Sequence, residues 1–193
     1  MSTRERILDA AIASLCRHGY AKTTARSIAA LGGFAPGVLY YHFADLDDVL
    51  VATAAYTSGL REERYRSLVG VERAADLVHR LRDLYADDLA SGHIETIQEL
   101  ISAARPGTPL AAALNDATRE WEALAEQILR GLLRGKPLAR LVQVPVVARA
   151  AVAYYLGMQT LTHLDGDAAR PAAAFDQAAR LARAFDKLPR VRR

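Results

Sequence analysis

Residues 23–43 read "TTARSIAALGGFAPGVLYYHF", and this stretch decides both the fold class and the function to be looked for. Thr23 or Thr24 can cap a short helix that turns Ile28 and Ala29 inward. Gly32, Gly33 and Phe34 break that helix after about two turns, and Pro36, a favoured first-turn residue, opens another. Ile28, Ala29, Phe34, Leu39 and Phe43 are spaced to pack the two helices together. Pro36, Gly37, Val38, Tyr40, Tyr41 and His42 are left for the outer surface. Two short helices joined by a tight glycine-containing turn form a helix-turn-helix, whose second helix fits the DNA major groove. A merely solvated helix rarely exposes so much aromatic area, so this face is expected to touch DNA.

Outward from this segment the pattern stays helical. Apolar residues recur at threes and fours, and no sustained alternation of period two appears. Residues 3–18 form a first helix with Ile7, Leu8, Ala11, Ile12 and Leu15 on one face. Asp45 caps a long helix over 46–68, and Asp48 completes a capping-box-like pair. Further helices are predicted over 72–90, 93–104, 109–134, 144–164 and 171–187, separated by "SGH", "RPGTP", "RGKPL" and "DGDAARP", each with Gly or Pro. The expected architecture is all-α with about nine helices. It divides into an N-terminal domain at 1–45, a connecting helix at 46–68, and a larger domain at 69–193.

The chain has 193 residues, 51% hydrophobic and 24% charged, with a net charge of +3. That size and composition suit a globular protein with a real core. The modest net charge does not by itself mark a nucleic-acid binder, so position matters. Residues 1–44 hold Arg4, Arg6, Arg17, Lys22 and Arg26 against Glu5 and Asp9, a local charge of +3. Cys16 is the single cysteine, no signal-peptide core follows "MSTRERILDA", and the longest apolar run contains Arg149. A cytoplasmic protein that does not span a membrane is expected.

The quoted stretch resembles the helix-turn-helix of the TetR-like family of bacterial transcriptional repressors. That family's pattern is similar to T-x-x-x-I-A-x-x-A-G-V-S-x-G-T-L-Y-Y-H-F followed by Ser-Lys-Glu-Glu-Leu. Thr24, Ile28, Ala29, Gly33, Gly37, Leu39, Tyr40, Tyr41, His42 and Phe43 fall on matching positions. The resemblance implies an N-terminal DNA-binding domain and a C-terminal domain that dimerises and binds a small molecule. It implies that Thr24 and Arg26 approach phosphates, that Ala35, Pro36, Gly37, Val38 and Tyr40 lie at the groove, and that Tyr41 and His42 reach the backbone. Three departures stand out. Ala35 occupies the place of a capping Ser, which removes a cap worth about 1 kcal/mol. Val38 replaces a Thr, offering methyl groups to a thymine instead of a hydroxyl. Asp45-Leu46 stands where Ser-Lys is usual, which lowers the phosphate grip.

In the C-terminal region, Ala150, Ala153 and Gly157 recur at spacings of three and four, and Phe175, Ala178, Ala182 and Phe185 lie on one face of the last helix. Small residues permit close helix approach, so these seven are candidates for a dimer interface, with burial inside one subunit as the alternative. The resemblance favours the dimer. Tyr85, His93, Gln98, Trp121, Tyr155, Met158, Gln159 and His163 are polar-tipped or isolated polar side chains on apolar faces. Such groups orient ligands in mainly hydrophobic pockets, or else serve as ordinary interior residues. The ligand they suit is hydrophobic or aromatic.

The five histidines show no metal-site spacing, and no phosphate loop or nucleophile motif appears. No metal, no cofactor and no enzymatic activity are therefore expected. Basic neighbours could activate Cys16, although a buried thiol is the simpler reading. The terminal "KLPRVRR" is a solvated end or a weak contact to DNA or anionic lipid. The sequence thus points to a homodimeric, ligand-responsive regulator, most simply a repressor released from a palindromic operator. The alternative is a small-molecule or protein-binding module on the same fold that has lost DNA binding.

Overall fold

The structure, a computed structural model, describes residues 1–167 and 169–189. Of the basic C-terminal segment only residues 187–189 are thereby placed; residues 190–193 lie outside the described residues. All regular structure among the described residues is helical, in nine α-helices: α1 (Thr3–His18), α2 (Ala25–Gly32), α3 (Pro36–His42), α4 (Leu46–Tyr65), α5 (Ala74–Ala90), α6 (His93–Ala103), α7 (Pro109–Leu133), α8 (Val144–Asp165) and α9 (Ala169–Asp186). Short 3₁₀ turns at Tyr20–Lys22, Arg66–Leu68 and Pro137–Arg140 join some of them. Every α-helix coincides with a stretch of helical periodicity in the sequence, whereas the first and last of these turns carry no such signal.

Local chemistry sets the N-terminal boundaries. Ser2 and Glu5 close a capping box over α1, with Glu5 N–H donating to Ser2 Oγ at 3.2 Å. Thr24 and Ser27 do the same for α2, which ends at Gly33 in a left-handed conformation (φ 66°) that glycine adopts without strain. At α4 the Asp48 N–H donates to Asp45 Oδ1 at 2.8 Å, and the Ala44 N–H donates to Asp48 Oδ2 at 3.1 Å. The acids that look out of place beside a DNA-binding helix therefore hold the start of α4. Both also sit favourably against its dipole.

The chain packs as two compact units, each built from two segments. The first comprises Met1–Arg61 and Asp88–Ala117; the second comprises Glu62–Asp87 and the chain from Thr118 onward. In the first unit Ile7, Leu8 and Ala11 of α1 bury with Ile28, Leu39, Phe43 and Val49. A second cluster joins Leu15, Leu50 and Ala54 to Leu100 of α6. Leu46 is half-buried and packs against both clusters, so its apolar character has a structural use. Each fully buried Ile or Leu contributes about 1.5–3 kcal/mol, enough to hold two short helices that would not persist alone.

Side chains of α6 tie that helix to the N-terminal segment within the first unit. Glu99 Oε2 accepts the Tyr20 N–H at 2.7 Å, and Cys16 Sγ donates to Gly92 O at 3.3 Å and meets Thr96 Oγ1 at 3.5 Å. Burial raises the Cys16 thiol pKa, with the Thr96 hydrogen bond a smaller opposing influence. The activated-thiol reading is therefore not supported by the surroundings of Cys16. Its alkylation by iodoacetamide at neutral pH is expected to run slower than that of an exposed peptide cysteine, because only the thiolate reacts.

In the second unit Tyr65, Leu68, Leu77, Leu124, Ile128, Leu132 and Ala182 form the core. Trp121, Tyr155 and Phe185 pack against it. Lys136 is buried there, its Nζ donating to Phe185 O at 3.0 Å and lying 4.2 Å from the centre of the Phe185 ring. No helix among the described residues is long and apolar enough to cross a membrane.

Candidate functional site

The two short helices α2 and α3 join one core cluster through Ile28 and Leu39, both fully buried, and Ala29 of α2 is buried as well. Arg6 stitches the turn between them to α1 by donating to Gly32 O at 3.2 Å. Ser14 bonds both Thr23 (3.1 Å) and Ser27 (2.8 Å) through its hydroxyl, fixing the start of α2 from below. The result is a helix-turn-helix tied to α1 both at the end of α2 and at its start.

Its outer face carries the residues that sequence reasoning assigned to DNA. Thr24, Arg26, Ala35, Pro36, Gly37, Tyr40 and Tyr41 are exposed, Tyr41 by 87% and Tyr40 by 57%. Thr24 Oγ1 accepts the Ser27 N–H at 3.1 Å, which leaves its O–H available to donate to a phosphate oxygen. Lys22 and Arg26 are exposed and have no hydrogen-bond or ion-pair partner among the described residues. His42 is half-buried, with its ring edge-on to Tyr41 at 5.2 Å. Val38 differs from the outward position expected of it: it is half-buried and leans on the α1–α4 core, because the first turn of so short a helix rests partly on its own domain. No side chain caps α3. A Cβ built on Gly37 meets nothing within 4 Å, so the protein's own packing does not require a glycine there.

The candidate interface residues divide. Ala150, Ala153 and Gly157 are exposed, and they belong to a longer exposed stripe on α8 that begins at Val146 and continues through Leu161 and Leu164. Leu164 is 74% exposed, and a Cβ on Gly157 meets nothing within 4 Å. On α9, Phe175 and Ala182 are buried within the second unit, Ala178 is half-buried, and Phe185 is half-buried against Lys136. Among the described residues, the large apolar side chain exposed on α9 is Leu181. The apolar periodicity on α9 marks a face that the protomer itself covers in part, and Leu181 stands roughly a quarter of a turn from its centre.

The eight candidate ligand residues fall in both units. Tyr85, Trp121, Tyr155, Met158, Gln159 and His163 belong to the second; His93 and Gln98 belong to the first. In the second unit Tyr65, a residue the sequence did not single out, stacks edge-on to Trp121 (4.9 Å) and shares a hydroxyl hydrogen bond with Tyr155 at 2.6 Å. Tyr85 lies edge-on to Tyr155 at 5.8 Å and tilted against Phe175 at 5.6 Å. Met158 and Gln159 are buried, whereas His163 is exposed. In the first unit Gln98 is buried, and His93 Nδ1 lies 4.0 Å from Asp88 Oδ1. That unit also contains an open cleft of about 670 Å³ whose walls include Tyr20, Leu50, Glu99 and Arg105, but none of the eight. Among the described residues no three His, Cys, Asp or Glu side chains gather as a metal site would require.

Residues 7–53 match the profile of bacterial regulatory proteins of the tetR family. No curated protein matches the chain. Solved structures share its fold along nearly its whole length. The fatty acid degradation regulator FadR of Bacillus halodurans superposes with a TM-score of 0.74 at 20% identity, covering 96% of this chain and 99% of the other. FadR of Bacillus subtilis, in complex with stearoyl-CoA, gives 0.74 at 16% identity over 95% and 97%. SmeT, the repressor of a multidrug efflux pump of Stenotrophomonas maltophilia, gives 0.63 at 23% identity over 94% and 87%.

Proposed function

We propose, from the premise that the chain is a tetR-family regulatory protein in its N-terminal domain and its fold, that it is a cytoplasmic homodimer that binds a palindromic operator and releases it when a small molecule binds. Proteins of this family are DNA-binding transcription factors rather than enzymes. The observation that carries the reading is the outer face of α3. Tyr40 and Tyr41 are exposed beside a glycine that nothing in the fold requires, on a helix anchored underneath by Leu39. Residues 1–45 read DNA, 46–68 connect, and 69–193 bind the effector and dimerise.

The α8 stripe supports the dimer. Val146, Ala150, Ala153, Gly157, Leu161 and Leu164 share one exposed face, and an open position for a Cβ on Gly157 suits the close approach of a partner helix. Leu181 extends the apolar surface on α9. Two copies of each helix make a two-fold interface, which matches a two-fold DNA site. Replacing Leu161 by glutamate is expected to convert the dimer to a folded monomer, as read by sedimentation velocity with an unchanged helical circular dichroism spectrum.

Release follows from the contacts of α6. Glu99 on α6 holds the Tyr20 N–H in the turn that leads into α2, so a shift of α6 moves the start of the helix-turn-helix. The two recognition helices must stand about one helical turn apart, ~34–36 Å, to engage both half-sites. A ligand that prefers the displaced geometry therefore lowers DNA affinity, and DNA lowers ligand affinity by the same factor. The bound stearoyl-CoA of the Bacillus subtilis relative supports a ligand-responsive reading here, without specifying the ligand.

A second reading is favoured by α4. Asp45, Asp47 and Asp48 stand at its start, and Leu46, where a phosphate-binding lysine is expected, is engaged in the core. A module that binds small molecules and no longer reads DNA would tolerate this. The salt dependence of binding to duplex DNA separates the two. A regulator shows a log–log slope of about −0.9 per phosphate contact, several units in total for a dimer, whereas the module shows no measurable binding even at low salt.

A further inference from the structure

Buried polar groups in the second unit mostly find partners. Lys136 donates to Phe185 O, Tyr65 bonds Tyr155, and the Asp186 carboxylate accepts the N–H groups of Ala74 and Ala75 at 2.8 and 3.0 Å. Three side chains depart from this pattern. Gln159 is fully buried, and neither its Nε2 nor its Oε1 meets a hydrogen-bonding group of the protein. Tyr85 Oη and Thr162 Oγ1 are buried and unbonded in the same way.

These atoms belong together. Tyr155, Gln159 and Thr162 follow at i, i+4 and i+7 and so lie along one stripe of α8. Tyr85 of α5 packs its ring against Tyr155 of that stripe. Burial raises the Tyr85 phenol pKa while the nearby Thr162 hydroxyl pulls it slightly back, so the two hydroxyls are neighbours that do not close a regular hydrogen bond. The surroundings are aromatic. Arg82 lies over the outer ring, Phe175, at 5.8 Å and is ion-paired to Asp176.

A buried amide without partners forfeits the solvation of a donor and an acceptor at once. Leucine or methionine would fill the same space more cheaply, so a glutamine here needs a use. A formal charge brought beside it would lack a dedicated counter-charge and would be disfavoured. We propose that Gln159, assisted by Tyr85 and Thr162, is the polar contact point of the effector site. The effector it selects is an uncharged molecule presenting a donor and an acceptor side by side, such as a carboxamide, lactam or imide, on an aromatic or apolar body. Such an edge pairs with the glutamine amide through two hydrogen bonds. The inference rests on, and deepens, the ligand-responsive reading.

The test uses the full-length, DNA-free protein and matched trios of probes: the carboxamide, carboxylate and methylammonium derivatives of benzene, naphthalene and biphenyl. Calorimetry is expected to show at least one carboxamide binding ten-fold or more tightly than its matched acid and amine. Gln159→Leu is expected to erase that preference. It is also expected to raise the melting temperature of the ligand-free protein by about 2–4 °C, because it removes the unpaired amide. No carboxamide surpassing its charged partners, an unchanged preference in Gln159→Leu, or a lowered melting temperature overturns the proposal. Operator release is measured separately. Carboxamide binding that leaves DNA affinity untouched keeps this site and overturns the ligand-responsive reading. A preference for a charged probe alongside intact operator release overturns this site alone.

Discussion

Changing Gly37 to glutamate is expected to leave the protein folded, slightly more stable, and unable to hold its operator. The two effects have separate causes. Gly37 is exposed in the first turn of α3, and a Cβ there meets nothing within 4 Å. Removing a helical glycine contributes roughly 0.5–1 kcal/mol. A carboxylate near the start of a helix that lacks a side-chain cap adds about 0.3–1 kcal/mol through the dipole. On DNA the same side chain brings bulk and negative charge to the point of closest approach, twice in a dimer. A loss of at least about 100-fold, or ~2.7 kcal/mol at 1.36 kcal/mol per decade, is expected by fluorescence anisotropy, with melting curves recorded in parallel. Unchanged affinity would place the groove-facing surface elsewhere.

The largest expected loss of stability comes from Asp88→Ala. Asp88 Oδ2 accepts from Arg61 Nε at 2.7 Å, and the two side chains are 0% and 5% exposed. Such a pair adds little relative to a well-packed apolar pair, because both charges must leave water. Removing only the carboxylate takes from the buried guanidinium its 2.7 Å Asp88 partner and is expected to cost about 3–5 kcal/mol. A domain with about 5–15 kcal/mol of total stability feels that as a large fraction. Urea unfolding is expected to show the drop. Adding Arg61→Met to Asp88→Ala is expected to restore part of it, since the double variant no longer buries a guanidinium that has lost its Asp88 partner. A single-variant loss under about 1 kcal/mol would mean that water reaches the pair.

The helices were legible because every break except Phe43-Ala44-Asp45, between α3 and α4, carries Gly or Pro, and because apolar residues recur at threes and fours. The capping pair of Asp45 and Asp48 was legible too, since a side chain that bonds a backbone N–H three residues away leaves its spacing in the sequence. What covers a face was not legible. Phe175, Ala178, Ala182 and Phe185 recur with helical spacing, and that spacing reports an apolar face without naming its neighbour; Phe175 and Ala182 are buried by their own protomer. Comparison with the family pattern identified the lysine missing at Leu46 but not the core contacts that Leu46 makes. Gln159 stood out as a polar residue on an apolar helix, whereas Thr162 did not. Threonine in a helix commonly bonds the carbonyl four residues back, as Thr160 does to Leu156 O at 3.0 Å. The ion pair of Arg61 and Asp88 left no trace, because its members are 27 residues apart and both look like surface charges.

We propose above that α3 reads DNA as one half of a dimer. Selection from a random duplex library at moderate salt tests it most directly, with Gly37→Glu carried through in parallel. The wild-type protein is expected to enrich a two-fold symmetric site with half-sites one helical turn or a multiple apart, and the variant none. Failure of the wild-type protein to enrich any sequence, even at low salt, would contradict it.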